Sequence, residues 1–287
     1  MKMSRTMRLY YYAVLGAMGG LIGWQASNAL GLSFWSNLYL SEIPVGGLIG
    51  LSIGVLIGFS EGLVSRRLLR ILKSSLINGG LGLAGGAVGL PVAEALFQIL
   101  GGGFPGRSLG WGVFGLLLGL AFGVTSASEI WKPALGGSLG GMLGGALLEG
   151  IGSLINNPLY GKALGLSLLG AAIGVFIALI ALLLSKAWLE VISGKMQGSE
   201  FILDKFIRSG GPAAYLGSSA LKADIVLPDP DIDPQHALLI GADTHFNLKD
   251  ISLSGTFIGG KKIEQARLRS GQTIKIGQTE LVYHERK

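Results

Sequence analysis

The stretch ISLSGTFIGG, residues 251–260, is rich in hydroxyls and glycine and lies among short runs with strand character. On either side of it stand EFILDKF, AAYLGSS, ADIVL, HALLIG, HFNLKD, GTFIGG, QTIKIG and TELVYHE, each broken from the next by Gly, Pro, Asp or Ser. Short strands at that spacing predict an antiparallel β-sandwich of roughly 85 residues, spanning 200–287. Just upstream, AWLEVISGKMQG at 187–198 reads as a helix running into a glycine-bearing link, so residues 188–199 are assigned as a linker.

Everything before that link is of another kind. Of the 49 glycines, 38 lie in residues 1–186, set among Leu, Ile, Val and Ala. Only 11 Lys and Arg and 5 Asp and Glu fall there, against 12 and 12 in residues 187–287, so the net charge of +6 belongs wholly to the amino-terminal part. Six apolar runs approach the length that crosses a bilayer: about 8–30, 44–64, 75–99, 109–128, 134–155 and 163–185. Residues 1–187 are therefore expected to form a transmembrane domain. MKMSRTMR ahead of the first run resembles a signal peptide, but ASNA is a poor cleavage site and further spans follow, which favours an uncleaved first span.

Nine of the 11 basic residues (Lys2, Arg5, Arg8, Arg66, Arg67, Arg70, Lys73, Lys132 and Lys186) fall on one side of the six spans; Arg107 and Lys162 fall in the alternate loops. Short cytoplasmic loops collect Lys and Arg, so both termini are expected in the cytoplasm of a multi-pass inner-membrane protein. A neutral tail has no basic stripe with which to hold phosphates, which argues against nucleic acid as a partner. The chain has no cysteine, so disulfides and thiolate metal sites are excluded.

The spans carry an internal repeat. GAMGGLIG at 16–23, GLAGGAVG at 82–89 and GMLGGALL at 141–148 each open a pair of spans. The second span of each pair has small residues every fourth position: Gly50, Gly54 and Gly58; Gly115, Gly119 and Gly123; Gly170, Gly174 and Ala178. Three tandem two-helix hairpins are predicted, with these glycines on one helix face as packing seams where backbones approach closely. GLGLAG at 80–85 satisfies the dinucleotide fingerprint, but it lies within a span and not between a strand and a helix, so no nucleotide or other cofactor is expected. Among acidic residues of the spans, Glu61 is within reach of Arg66 for pairing. Glu94 and Glu149 lie toward the outer halves with Gln25, Asn28 and Gln98, a set that suits either a polar vestibule or bonding to neighbouring helices.

The order of motifs in the tail resembles the forkhead-associated (FHA) domain. YLGSS is similar to that family's first phosphate-binding loop, DIVLPDPDIDPQHALL to the second, LKDISLSGTFIGG to the third, and LRSGQTIKIGQTELVYHE to its closing strands. The resemblance implies phosphothreonine-peptide recognition at one end of the sandwich, yet the implied contacts have changed. The family's Gly-Arg pair is here Gly217-Ser218, its serine three residues before the histidine is Asp233, and its asparagines fall at Ser254 and Gly259. A phosphate dianion needs charge-assisted donors, which Ser does not replace and a carboxylate opposes. Lys222, Lys261 and Lys262 stand nearby as cations. By the same resemblance Gly217, His236, Ser252, Gly255 and Thr256 brace the loops.

The fold expected is thus a membrane all-α domain of six glycine-rich helices followed by an all-β FHA-like sandwich. The function expected is non-enzymatic: a membrane-anchored binding or scaffolding subunit that recognises a cytoplasmic or membrane protein without requiring phosphate. Ser218, Ser219, Asp233, Ser254, Lys261 and Lys262 are the candidate contact residues. A channel or transporter with the sandwich as regulator, and a phosphothreonine-binding signalling adaptor, are the alternatives. No nucleophile set, metal cluster or Walker loop can be assembled from the sequence.

Overall fold

The computed structural model describes residues 5–65, 68–125 and 129–286. The chain divides into a helical unit, Arg8–Leu63 with Leu68–Leu183, and a β unit built on Leu184–Lys287. The expected pairing of Glu61 with Arg66, and the end of the fourth span at 126–128, lie outside the described residues.

Six helices make up the first unit: α1 Arg5–Ala29, α2 Leu38–Ser65, α3 Leu68–Ile99, α4 Gly103–Thr125, α5 Trp131–Leu154 and α6 Pro158–Leu183. Five of them, α2 to α6, are long and apolar enough to cross a membrane. The chain turns from α3 to α4 through Gly101, Gly102 and Gly103, whose φ angles of 76°, 77° and 77° suit glycine alone.

Two kinds of helix contact alternate around the bundle. In the first, backbones touch. A methyl group on Gly50 would fall on the carbonyl of Gly82, one on Gly115 on that of Gly137, and one on Gly170 on that of Gly16. One turn along, Gly54 meets Asn78, Gly119 meets Pro133 and Gly174 meets Tyr12, while Gly58 meets Ser74 and Gly123 meets Ile130. These seams join α2 to α3, α4 to α5 and α6 to α1, so they lie between successive hairpins and close the bundle on itself. In the second kind, inside each hairpin, glycines make room for a large residue of the facing helix: Gly19 and Gly23 face Ile53 and Ile49, Gly85 and Gly89 face Leu117 and Phe114, and Gly140 and Gly144 face Ile173 and Leu169. Ile49, Ile53, Phe114, Leu118, Leu169 and Ile173 are at most 2% exposed. Without side chains in the way, close approach yields dispersion contacts that lipid does not match.

These contacts correct the repeat in its third copy. Gly137, not Gly141, stands where Gly16 and Gly82 stand, so the third copy is GSLGGMLG at 137–144 in place of GMLGGALL at 141–148. GSLGGMLG carries all four glycines of GAMGGLIG and GLAGGAVG, whereas GMLGGALL ends in Leu148, and the partner across the seam agrees with the former.

The β unit has eleven strands: β1 Ala187–Ser193, β2 Glu200–Ile202, β3 Ala214–Gly217, β4 Ile225–Val226, β5 Ala237–Gly241, β6 Phe246–Asp250, β7 Thr256–Ile258, β8 Lys261–Ile263, β9 Gln265–Arg267, β10 Thr273–Ile276 and β11 Thr279–Glu285. One sheet runs β2-β1-β11-β10-β7-β8 and the other β4-β3-β5-β6-β9. All pairs are antiparallel except β3 with β4, which is parallel. Leu189, Leu216, Leu239, Phe246, Leu248, Ile274, Leu281 and Tyr283 are fully buried between the sheets. The rings of Phe246 and Tyr283 meet edge to face, and the Tyr283 hydroxyl donates to Glu285 at 2.8 Å.

Residues 187–198, expected as a helix and linker, form β1 instead. Ala187, Leu189 and Val191 are fully buried while Trp188 and Glu190 are half-buried, a period of two that belongs to a strand. β1 sits in the middle of its sheet, pairing Ala187 with Glu285 and Leu189 with both Tyr283 and Phe201. The sandwich therefore begins at Ala187. Strands β8 and β9 were also unforeseen; both are short and mostly exposed, so neither carries an apolar pattern.

Candidate functional site

The loops named by the sequence come together at one cluster in the β unit: β3–β4, β4–β5 and β6–β7. Gly217 ends β3 where a side chain would strike the carbonyl of Pro234, which ties the first loop to the second. Ser218 donates from its amide to the Asp233 carbonyl at 3.0 Å and from its hydroxyl to the Ile232 carbonyl at 2.7 Å. Its side chain is therefore spent on the neighbouring loop. Ser219 stays local, accepting from the Leu221 amide at 3.3 Å.

His236 is fully buried behind these loops. Its Nδ1 accepts from the Asp233 amide at 3.2 Å, which leaves the proton on Nε2 to reach the Gly255 carbonyl, also 3.2 Å away. One imidazole thus links the second loop to the third. Asp233 completes the link from the other side, its Oδ2 accepting from the Leu253 amide at 2.8 Å.

The third loop is held by a residue that sequence reading passed over. Asp250, at the end of β6, receives the Ser252 amide and hydroxyl at 3.2 and 2.7 Å and the buried Thr256 hydroxyl at 3.0 Å. Burial raises its pKa, but these hydrogen bonds outweigh burial and the net shift is downward from 3.8. The Ser252 hydroxyl also accepts from the Gly255 amide at 2.8 Å, and Gly255 itself has φ 94°, with the Lys262 side chain passing over its α-carbon. Asp229 plays a similar part in the second loop. It receives the Asp231 amide, the Gln278 amide and the Thr279 hydroxyl at 3.0, 2.9 and 3.0 Å, and its pKa too is lowered from 3.8 because hydrogen bonding overcomes burial. An acidic residue followed by Ser two positions on is the sequence signal that identifies such a brace.

Ser254, Lys261 and Lys262 are exposed on the same cluster. So are two side chains that the sequence reading did not select: Leu253 is 96% exposed at the tip of the third loop, and Leu221 is 83% exposed in the first.

In the helical unit, Glu94 and Glu149 are bridged by one guanidinium. Arg107 lies 3.0 Å from Glu94 through Nη1 and 3.2 Å from Glu149 through Nε. Gln98 donates to Glu94 at 3.1 Å and accepts from the Tyr39 hydroxyl at 3.1 Å. Arg107 and Lys162, read from sequence as loop residues, belong to α4 and α6, so an acid–base set that the sequence did not show inside the spans is present.

Residues 190–286 match the family model described as "Inner membrane component of T3SS, cytoplasmic domain". The glycogen accumulation regulator GarA of Mycobacterium tuberculosis is 33% identical over 98 residues, which are 34% of this chain and 56% of that protein. The chain thus spans about half the length of the curated relatives it matches. Among solved structures, the FHA domain of the CT664 protein from Chlamydia trachomatis is 32% identical, covering 36% of this chain and all of that one with a TM-score of 0.32. The cytoplasmic domain of the T3SS sorting platform protein PscD from P. aeruginosa is 22% identical, covering 36% of this chain and 82% of that one with a TM-score of 0.31. The β unit is an FHA-type domain, and it follows six helices, five of them long and apolar enough to cross a membrane.

Proposed function

We propose that the chain is a membrane-anchored binding subunit whose FHA-type domain recognises a cytoplasmic protein through its loop cluster, and that this recognition does not require phosphate. The observation that carries the reading is Asp233: a fixed carboxylate accepts the Leu253 amide at the point where the three loops meet. An incoming phosphate would meet a like charge and find that donor already engaged. Ser218, turned onto the Ile232 carbonyl, offers no cation in compensation. Leu253 and Leu221 supply exposed apolar surface of the kind that anchors protein interfaces. Ser219, Ser254, Lys261 and Lys262 form the polar rim of that surface. The match to the inner-membrane component family and the five apolar helices support anchoring to the inner membrane, and a site built of bracing groups supports a binding role.

The test uses the full chain in detergent and a threonine-phosphorylated peptide library beside its unphosphorylated copy. Equal capture of the two is expected. Phosphate-dependent capture that is lost in Lys261→Ala, Lys262→Ala would overturn the reading and assign the missing arginine's role to those lysines. Orientation is tested separately, since the chain has no native cysteine. In intact cells Trp35→Cys is expected to react with an impermeant maleimide and Arg269→Cys to be protected; labelling at 269 from outside refutes the cytoplasmic placement.

A further inference from the structure

A cavity of about 640 Å³ lies within the helical unit, walled by residues of all six helices. That volume falls within the range of sites for small organic molecules. Its apolar wall includes Trp24, Val45, Ile49, Leu90 and Leu166, and its polar wall includes Glu42, Glu94, Arg107, Glu149 and Lys162.

The threefold repeat orders these charges. Counted from the glycine seams, Glu42, Arg107 and Lys162 occupy one position in α2, α4 and α6: each stands one turn before Gly46, Trp111 and Leu166, the residues that face Gly86, Gly141 and Gly20. Asn28, Glu94 and Glu149 occupy a second position in α1, α3 and α5, five residues beyond Gly23, Gly89 and Gly144. Two repeats therefore set a cation on the even helix and an acid on the odd one, and Arg107 bridges both acids. The first repeat inverts the pattern by placing an acid, Glu42, where the others have a cation.

Arg107 is engaged by Glu94 and Glu149, whereas Glu42 and Lys162 make no ion pair among the described residues. The Oε2 of Glu42 is buried and has no hydrogen-bond partner among the described residues, and the same is true of the indole Nε1 of Trp111 on the cavity wall. A buried acceptor and a buried donor without partners are each costly, and both belong to residues that line one cavity. A ligand that meets both carries a cationic donor for Glu42 and an acceptor for Trp111, with an apolar body against the tryptophan and aliphatic wall. The Glu94 carboxylate is near enough to repel Glu42 and the Arg107 guanidinium near enough to attract it, but the ion pairs of that guanidinium go to Glu94 and Glu149.

We infer that the helical unit holds a binding site for an organic molecule bearing a primary ammonium group, paired with Glu42 inside this cavity. The ammonium is supplied either by a free amine or by the headgroup of an aminophospholipid. This inference is independent of what the FHA-type domain binds.

The test uses the full chain in nanodiscs of phosphatidylcholine, titrated with 2-(4-methoxyphenyl)ethylamine, whose ether oxygen is the acceptor, and followed by tryptophan fluorescence, since Trp24 and Trp111 line the cavity. Saturable binding of the amine is expected, with 2-(4-methoxyphenyl)ethanol and 4-methoxyphenylacetate at least tenfold weaker. Glu42→Gln, close in shape to the native residue, is expected to weaken amine binding about tenfold or more. A parallel arm replaces part of the lipid with phosphatidylethanolamine. Competition with the amine there, and retention of that lipid by wild type but not by Glu42→Gln in native mass spectrometry, identifies the headgroup as the source; amine binding unchanged by the lipid identifies a free amine. Should Glu42→Gln fail to assemble, Trp111→Phe serves as the second variant, with a smaller loss expected. Neither probe binding, alcohol binding as tight as amine, or amine binding unaltered in a folded Glu42→Gln or Trp111→Phe protein overturns the inference.

Discussion

Gly115→Ala is the sharpest test of how the helical unit is held together. A methyl at that position would overlap the Gly137 carbonyl oxygen, and it would lie 2.9 Å from the Gly137 carbonyl carbon and 3.0 Å from the Gly141 α-carbon. Carbon atoms in good contact are about 3.5–4.0 Å apart, so α4 and α5 must separate by roughly half an ångström to an ångström. All the obstructing atoms are backbone, so no side chain can rotate away. A gap of that size removes about a quarter to a half of each contact's attraction along the seam, and overpacking of this kind costs about 1–3 kcal/mol. The gain in helix propensity from Gly to Ala, at most about 1 kcal/mol, offsets only part of it. Gly80→Ala and Gly150→Ala are the controls, because a methyl there meets nothing within 4 Å. Thermal unfolding of the full chain in one detergent should show Gly115→Ala, and its counterparts Gly50→Ala and Gly170→Ala, below wild type. The two controls should be equal to wild type or above it. If seam and control variants unfold together, the close backbone approach is not what holds the bundle and the seam assignment fails.

Acid stability reports on the loop braces. Asp229 and Asp250 have folded-state pKa values below 3.8, so their hydrogen bonds contribute stability that is complete above about that pH and is lost as pH falls through the lower folded values. Asp250→Asn should therefore lower stability near neutral pH and flatten the acid limb of a stability–pH curve followed by FHA-domain NMR signals; an acid limb of unchanged slope in that variant and in Asp229→Asn contradicts the bracing role. Truncation tests the position of β1: a fragment 195–287 lacks the fully buried Ala187, Leu189 and Val191 and the strand between β2 and β11. Losing Leu189 and Val191 alone removes about 3–6 kcal/mol of apolar burial, comparable with a small domain's whole stability. Circular dichroism should show 195–287 unfolded and 184–287 folded, and a cooperative unfolding transition in the shorter fragment would refute a core role for β1.

The two-part organisation was open to sequence reading because charge, glycine and apolar residues are distributed so differently in residues 1–186 and 187–287. The helices and most strands followed from period and punctuation, and the loop motifs ISLSGTFIGG and DPQH located the cluster around His236. AWLEVIS was misread because five of its seven residues are apolar, and a short apolar run placed directly after a span satisfies a helix as readily as a strand when no partner is in view. Only β11 and β2 on either side of it decide the matter.

The glycine spacing determined that helices would touch, since a stripe of residues without side chains has no other packing use in a bilayer. Which helices touch was decided by the tertiary structure: seams lie between hairpins instead of within them. The same holds for charge. Glu42, Arg107 and Lys162 each stand eight residues before Gly50, Gly115 and Gly170, but that these positions line one cavity is visible only in the bundle. Composition and period are local properties and survive in the sequence; the partner across a seam, the acceptor for an amide, and the charge left without a counterpart exist only once the chain has folded back on itself.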